Sequence, residues 1–122
     1  MEEIKLSKRA RSIGVAGMRM KDLSVIVKEA KRFLPAVNQV EFHPLCQKTE
    51  LLRWSKLQGI TTATYEPLVG VAGSATTELT SNGAREIFSN IALAYRVPIA
   101  AIILKWIALS GVVVSAMLLM VL

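Results

Sequence analysis

The chain has 122 residues, enough for one small domain, and its 52% hydrophobic and 20% charged content excludes a disordered segment. Fifteen basic and nine acidic residues leave a net charge of +6, but apolar residues interleave with the basic ones and no aromatic stacking platform accompanies them, so solvated helix faces are expected rather than a nucleic-acid partner. A single cysteine, Cys46, and a single histidine, His43, exclude an internal disulfide and a zinc site, and suit a reducing, cytoplasmic setting.

Taken in chain order, residues 2–9 resemble the end of a helix and "RSIGVA" (11–16) a short strand. "KDLSVIVKEAKRF" (21–33) spaces Leu23, Ile26, Val27, Ala30 and Phe33 as one helical face, with Asp22 in the first turn, Lys31 and Arg32 in the last, and Pro35 as the stop. A strand follows at 36–41, a helix at 48–57 ended by Gly59, and a strand at 60–65. Residues 66–83 are a long loop rich in Gly, Ser, Thr and Asn. Helices are expected at 84–96 and 98–109, with Pro98 at a first helical position, and a last strand at 111–115. This alternation argues for an α/β fold with parallel βα units, either an open sheet or part of a (β/α)8 barrel. "GVAG" (14–17) is not a phosphate-binding glycine loop, which weakens a Rossmann reading.

The strand in "PAVNQVEFHP" (35–44) poses a specific question: buried strands are mostly Val, Ile and Leu, yet this one sets Asn38 and Gln39 between Val37 and Val40. A buried amide without partners is costly, so both need a role. Alternation places Val37, Gln39 and Glu41 on one face and Ala36, Asn38 and Val40 on the other.

"RSIGVAGM", "PAVNQVEFHP", "ELLRWSKLQGITTATYEPL" and "ILKWIALSGVVV" resemble, in order and spacing, successive landmarks of the aldo-keto reductase family, and "MEEIKLSKRARSIGV" resembles the helix and strand that begin the second half of that fold. The resemblance implies a partial (β/α)8 TIM barrel of about four βα units over residues 1–114, an NADP-dependent oxidoreductase domain, followed by a divergent apolar tail at 115–122. It implies NADP(H) as cofactor and a small carbonyl compound as substrate. It also implies that Gln39 points its amide at the nicotinamide carboxamide and that Tyr65 lies against the nicotinamide ring. Asn38 is then a structural hydrogen-bonder directed towards the helix layer. Glu66 stands where family members often carry serine, adding negative charge near the pyrophosphate path. Where the family strand reads "SIGVSNF", this chain has Ala16 and Gly17 in place of the polar pair and Met18 in place of the aromatic. The tail after Ser115 has no basic residue to grip a 2′-phosphate. The family's catalytic Asp, Tyr, Lys and His belong to earlier strands. The expectation is therefore a truncated half-barrel, inactive alone, that binds cofactor weakly or not at all, with His43 and Tyr65 outside the catalytic set.

Two further expectations attach to the surface and the tail. Unpaired edge strands invite self-association or pairing with another chain. The 17 uncharged residues after Lys105 approach the length of a membrane-spanning helix, so a membrane anchor over 98–122 is the rival reading, opposed by Ser110, Gly111 and the β-branched "VVV".

Overall fold

A computed structural model describes residues 2–30, 32–69 and 83–115. The elements alternate: α1 (Glu2–Leu6), β1 (Gly14–Ala16), α2 (Met20–Glu29), β2 (Val37–Glu41), α3 (Thr49–Leu57), β3 (Thr61–Tyr65), α4 (Ala84–Tyr95), α5 (Ile99–Leu109) and β4 (Val113–Val114). The strands form one parallel four-stranded sheet in the order β1-β2-β3-β4, the arrangement expected of successive βα units. By contact density the chain divides into two compact units, Met1–Val40 with Lys48–Ala63 and Glu41–Gln47 with Thr64–Leu122.

In the first unit the core is Leu23 of α2, Val40 of β2, Leu51 of α3 and Ile60, with Val15, Met18, Val27 and Trp54 packed around it. The sequence periodicity of α2 and α3 therefore marks the faces that are buried. β1 and β2 pair in parallel with Gly14 opposite Val37 and Ala16 opposite Gln39. The approach at Gly14 is so close that an added Cβ would collide with the Val37 side chain and lie 2.9 Å from its carbonyl oxygen. The backbone of Ala36 joins both neighbours: its N–H donates to Ile13 (2.8 Å) and its carbonyl accepts from Thr61 (3.0 Å).

Helix α2 is shorter than its periodicity suggests. It stops at Glu29, and Ala30 already has an extended backbone. The donors that would have continued it are used elsewhere: the N–H groups of Arg32 and Phe33 both donate to Glu2 Oε1, at 3.3 and 3.2 Å. Lys5 of the same short α1 lies over the Phe33 ring at 4.3 Å. At the other end of α2, Asp22 accepts from the Arg19 backbone N–H (3.3 Å) and guanidinium (2.9 Å), which fixes the first turn.

In the second unit α5 packs on α4 and leads into β4. Trp106 of α5 stacks on Phe42 (centroids 5.6 Å apart, 13° between planes) and meets Phe88 of α4 edge-on at 6.3 Å. Ala92, Ile103, Ile107 and Val112 are buried with them. Pro98 caps α5 from the residue before its first turn, one position earlier than expected. The helix ends at Leu109, and Gly111 turns the chain at φ +79° into β4. The rival anchor helix over 98–122 is thus not formed by residues 98–115. Among the described residues no single helix is long and apolar enough to cross a membrane; α4 and α5 reach that length only together and are bent by 104°. All of the expected tail at 115–122 except Ser115, and most of the 66–83 loop, lie outside the described residues.

Two measurements follow from buried and paired polar groups. Ser55 Oγ of α3 is fully buried and without a partner among the described residues. Ser55→Ala should stabilise the chain by about 1 kcal/mol in urea titration, because a buried hydroxyl without a hydrogen bond costs free energy. The Glu2 carboxyl is held below its usual range, chiefly by the Phe33 N–H and then by that of Arg32. A lowered folded-state value means that its contribution is present above the unfolded-state value of about 4.3 and lost as pH falls through the folded one. NMR titration should place the Glu2 midpoint below that of an unstructured peptide, and Glu2→Ala should flatten the acid limb of the stability curve.

Candidate functional site

The two amides of β2 have different fates. Asn38 is fully buried, and both ends of its amide are engaged by one residue: Nδ2 donates to the Met18 carbonyl (2.9 Å) and Oδ1 accepts from the Met18 N–H (3.3 Å). It is structural, as expected, but it acts on the backbone of the turn after β1, not on the helix layer. Gln39 points the other way. It is half-buried, and its side chain makes no hydrogen bond to another described residue. Its backbone carbonyl accepts from the Gly17 N–H at 2.8 Å.

The exits of β1 and β2 are therefore fastened together at residues 16–18 and 38–39. Ala16 pairs with Gln39, so these two sequence-predicted positions are neighbours. Gly17 has φ +68°, with open space where a Cβ would stand. That left-handed conformation suits glycine and, among residues with side chains, asparagine best. Met18 packs against the core and supplies no polar group.

In the second unit the strand exits carry Glu41 to Cys46 and Thr64 to Glu66. Thr64, fully buried, is the residue that sequence reasoning missed. Its hydroxyl accepts from the Phe42 N–H at 3.1 Å and lies 2.9 Å from the Phe42 carbonyl and 2.8 Å from the Tyr65 carbonyl. A hydroxyl has one proton, so it donates to one of those oxygens at a time. The side chain adds a rung between the chain leaving β2 and the end of β3. The only signal was a β-branched residue within "TTATY", which reads equally as ordinary strand content.

His43 is buried and locked. Nε2 is 3.0 Å from Glu41 Oε1, and Nδ1 accepts from the Leu45 N–H at 3.3 Å. Accepting at Nδ1 assigns the proton to Nε2, which donates to the carboxylate. Both nitrogens are thus used in holding the bend that closes with the His43–Cys46 bridge. Cys46 is half-buried and unpaired. Tyr65 is 38% exposed, so its ring is accessible. Glu66 follows in the left-handed region at φ +49°, with Pro67 next, and its carbonyl accepts from the Val69 N–H at 3.3 Å.

The order of these parts along the chain is what known proteins share with it. The sequence profile of the Aldo/keto reductase family matches residues 1–120. The chain belongs to this family. It is 33% identical over 113 residues to the glyoxal reductase of Bacillus subtilis, a match covering 93% of this chain and 37% of that protein. It is 34% identical over 114 residues to the 7-acetyl-epi-neemfruitin B aldo-keto reductase of Melia azedarach, covering 92% of this chain and 34% of that protein. Its structure matches the crystal structure of an aldo/keto reductase from Brucella melitensis with a TM-score of 0.77 at 30% identity, over 93% of this chain and 39% of that one. The aldo-keto reductase chain described here thus spans between a third and two-fifths of the length of these relatives, and its sheet corresponds to part of a (β/α)8 barrel.

The backbone at Glu66 is testable apart from any ligand. A non-glycine residue in the left-handed region carries a conformational cost of the order of 1 kcal/mol. Glu66→Gly should raise stability by about 0.5–1 kcal/mol, whereas Glu66→Gln, which removes the charge but keeps the side-chain constraint, should leave it unchanged in the same urea titration.

Proposed function

We propose that this chain carries the nicotinamide-facing part of an NADP(H)-dependent carbonyl reductase, and that these 122 residues alone bind the cofactor weakly and reduce no carbonyl substrate. The observation that carries the reading is the contrast within β2: Asn38 spends its whole amide on Met18, while the Gln39 amide is uncommitted among the described residues. An amide offers a donor and an acceptor together, which matches a carboxamide. The exposed ring of Tyr65 is of the kind that stacks on a planar heterocycle.

The fit to the cofactor is partial. Ala16 and Gly17 offer no side-chain hydrogen bond, Glu66 places a negative charge beside Tyr65, and residues 116–122 contain no basic side chain. Each lost hydrogen bond to a buried polar group costs about 1–3 kcal/mol, enough together to move a micromolar affinity to about millimolar. The family's catalytic Asp, Tyr, Lys and His belong to earlier strands, and His43 does not take their place, its two nitrogens being engaged by Glu41 and Leu45. The substrate class, a small carbonyl compound, rests on family membership, and the single free thiol of Cys46 suits a cytoplasmic setting.

The test is titration with NADPH followed by quenching of Trp54 and Trp106, beside an aldehyde-reduction assay. The chain should saturate only near millimolar cofactor. Ala16→Ser with Gly17→Asn, which restores two polar groups at a turn with room for them, should tighten binding about tenfold. Gln39→Ala with Tyr65→Ala should abolish that gain. Micromolar quenching indifferent to Gln39 and Tyr65, or turnover by the purified chain, would overturn the reading.

A further inference from the structure

We infer that Ser12 is a phosphorylation site for a serine kinase that selects basic sequences. The inference rests on the segment between α1 and β1 and is independent of cofactor binding. Ser12 precedes β1, whereas Ala16 closes that strand and Gly17 follows it.

The signal is "KRARSI" (8–13). Arg11, Arg9 and Lys8 stand one, three and four residues before the hydroxyl, and no acidic residue lies between Glu3 and Asp22. In an extended chain successive side chains alternate, so Arg9 and Arg11 share one face and Ser12 takes the other. Two guanidiniums on one face suit the carboxylates of a substrate cleft, each able to form a bidentate pair. Charge patterns of this kind are what kinases use to separate substrates.

The fold leaves this segment able to extend into such a cleft. The N–H groups of Ser7, Lys8 and Arg9 still donate back to Glu3, Lys5 and Ile4 at the end of α1. Ala10, Arg11 and Ser12 neither donate nor accept a backbone hydrogen bond among the described residues, so little has to break before they extend. Lys8, Arg9, Arg11 and Ser12 are all exposed. The ion pairs among the described residues join Arg19 to Asp22 and His43 to Glu41, so none of the three bases is spent on one.

Other serines serve as internal comparisons. Ser24 has Lys21 three residues before it, but it lies within α2 and its hydroxyl donates to the Lys21 carbonyl at 2.7 Å. The Ser7 hydroxyl is likewise turned onto the Ile4 carbonyl at 3.1 Å. Ser89 lies inside α4 with Glu86 three residues before it, and Ser55 is buried. Ser12 alone among the described serines combines exposure, irregular backbone and arginine at both positions. In the transfer its Oγ bonds the γ-phosphorus of ATP, the bond from that phosphorus to the bridging oxygen breaks, ADP leaves, and the hydroxyl proton passes to the kinase's carboxylate base. The product carries a charge of about −1.5 to −2 at pH 7, in the same segment as two guanidiniums.

The experiment treats the folded full chain with the catalytic subunit of cyclic-AMP-dependent protein kinase and magnesium ATP, and reads the product by mass spectrometry. One phosphoryl group per chain is expected. The tryptic peptides 10–19 and 12–19 hold Ser12 as their only hydroxyl, so either one locates the label. Arg9→Ala with Arg11→Ala should slow labelling by about tenfold or more, and Ser12→Ala should remove it. A kinase that selects acidic sequences should add no label at Ser12. A synthetic peptide of residues 5–17 supplies the rate of the unstructured segment, and the folded chain should react within about tenfold of it. Labelling chiefly at Ser7 or Ser24, a rate indifferent to loss of both arginines, labelling of Ser12 by the acid-selecting kinase, or a folded chain more than about tenfold slower than the peptide would each overturn the inference.

Discussion

The exit of the first strand depends on one buried amide. Asn38 sits in β2 with no exposure, and its side chain takes both the N–H and the carbonyl of Met18. A turn leaving a strand has backbone groups that no ladder satisfies, and leaving them buried and unpaired costs about 1–3 kcal/mol each. One asparagine resolves both. With Met18 fixed, α2 starts from a defined point, Leu23 enters the core, and the Gly17 N–H meets the Gln39 carbonyl. The packing of the first unit and the placement of its candidate site residues have the same origin.

The second unit reaches a similar result with different chemistry. There a threonine hydroxyl links Phe42 to the end of β3, a histidine locked between Glu41 and Leu45 shapes the bend, and the Phe42–Trp106 stack joins that bend to α5. Polar side chains at the carboxyl ends of the strands thus serve as substitutes for missing ladder bonds. Such groups are easily mistaken for catalytic ones, and His43 is the clearest case: a buried histidine beside a carboxylate, with neither nitrogen free.

Much of this was legible in the sequence, and the reasons are specific. Apolar spacing in α2 and α3, Pro35 and Gly59 as stops, alternation in β2 and β-branched residues in β3 and β4 fix element type because they reflect burial at periods of about 3.6 and 2. The ordered segments from "RSIGVAGM" to "ILKWIALSGVVV" led to the family and to the parallel sheet. Boundaries were less legible. Residues 30–33 continue the helical pattern of α2, but Glu2, far away in the sequence, takes the donors of Arg32 and Phe33, and local periodicity carries no trace of that. The role of Thr64 was hidden for the same reason, since its partners at Phe42 are distant in sequence. Asn38 was recognised as structural, but its partner was not, because alternation along a strand gives the face of a side chain and not the atoms it meets.

The close approach of Gly14 to Val37 bears on how the molecule opens. β1 is three residues long, one of them without a side chain, and none of the three is buried. It is held by backbone bonds and by Val15 rather than by a buried side chain of its own. Regions with few buried apolar groups open with a smaller free energy than the whole molecule and exchange their amide protons first. Protection against exchange should accordingly rise from β1 to β2, where Asn38 and Val40 are both buried, making the first strand the outermost leaf of the sheet in dynamics as well as in order.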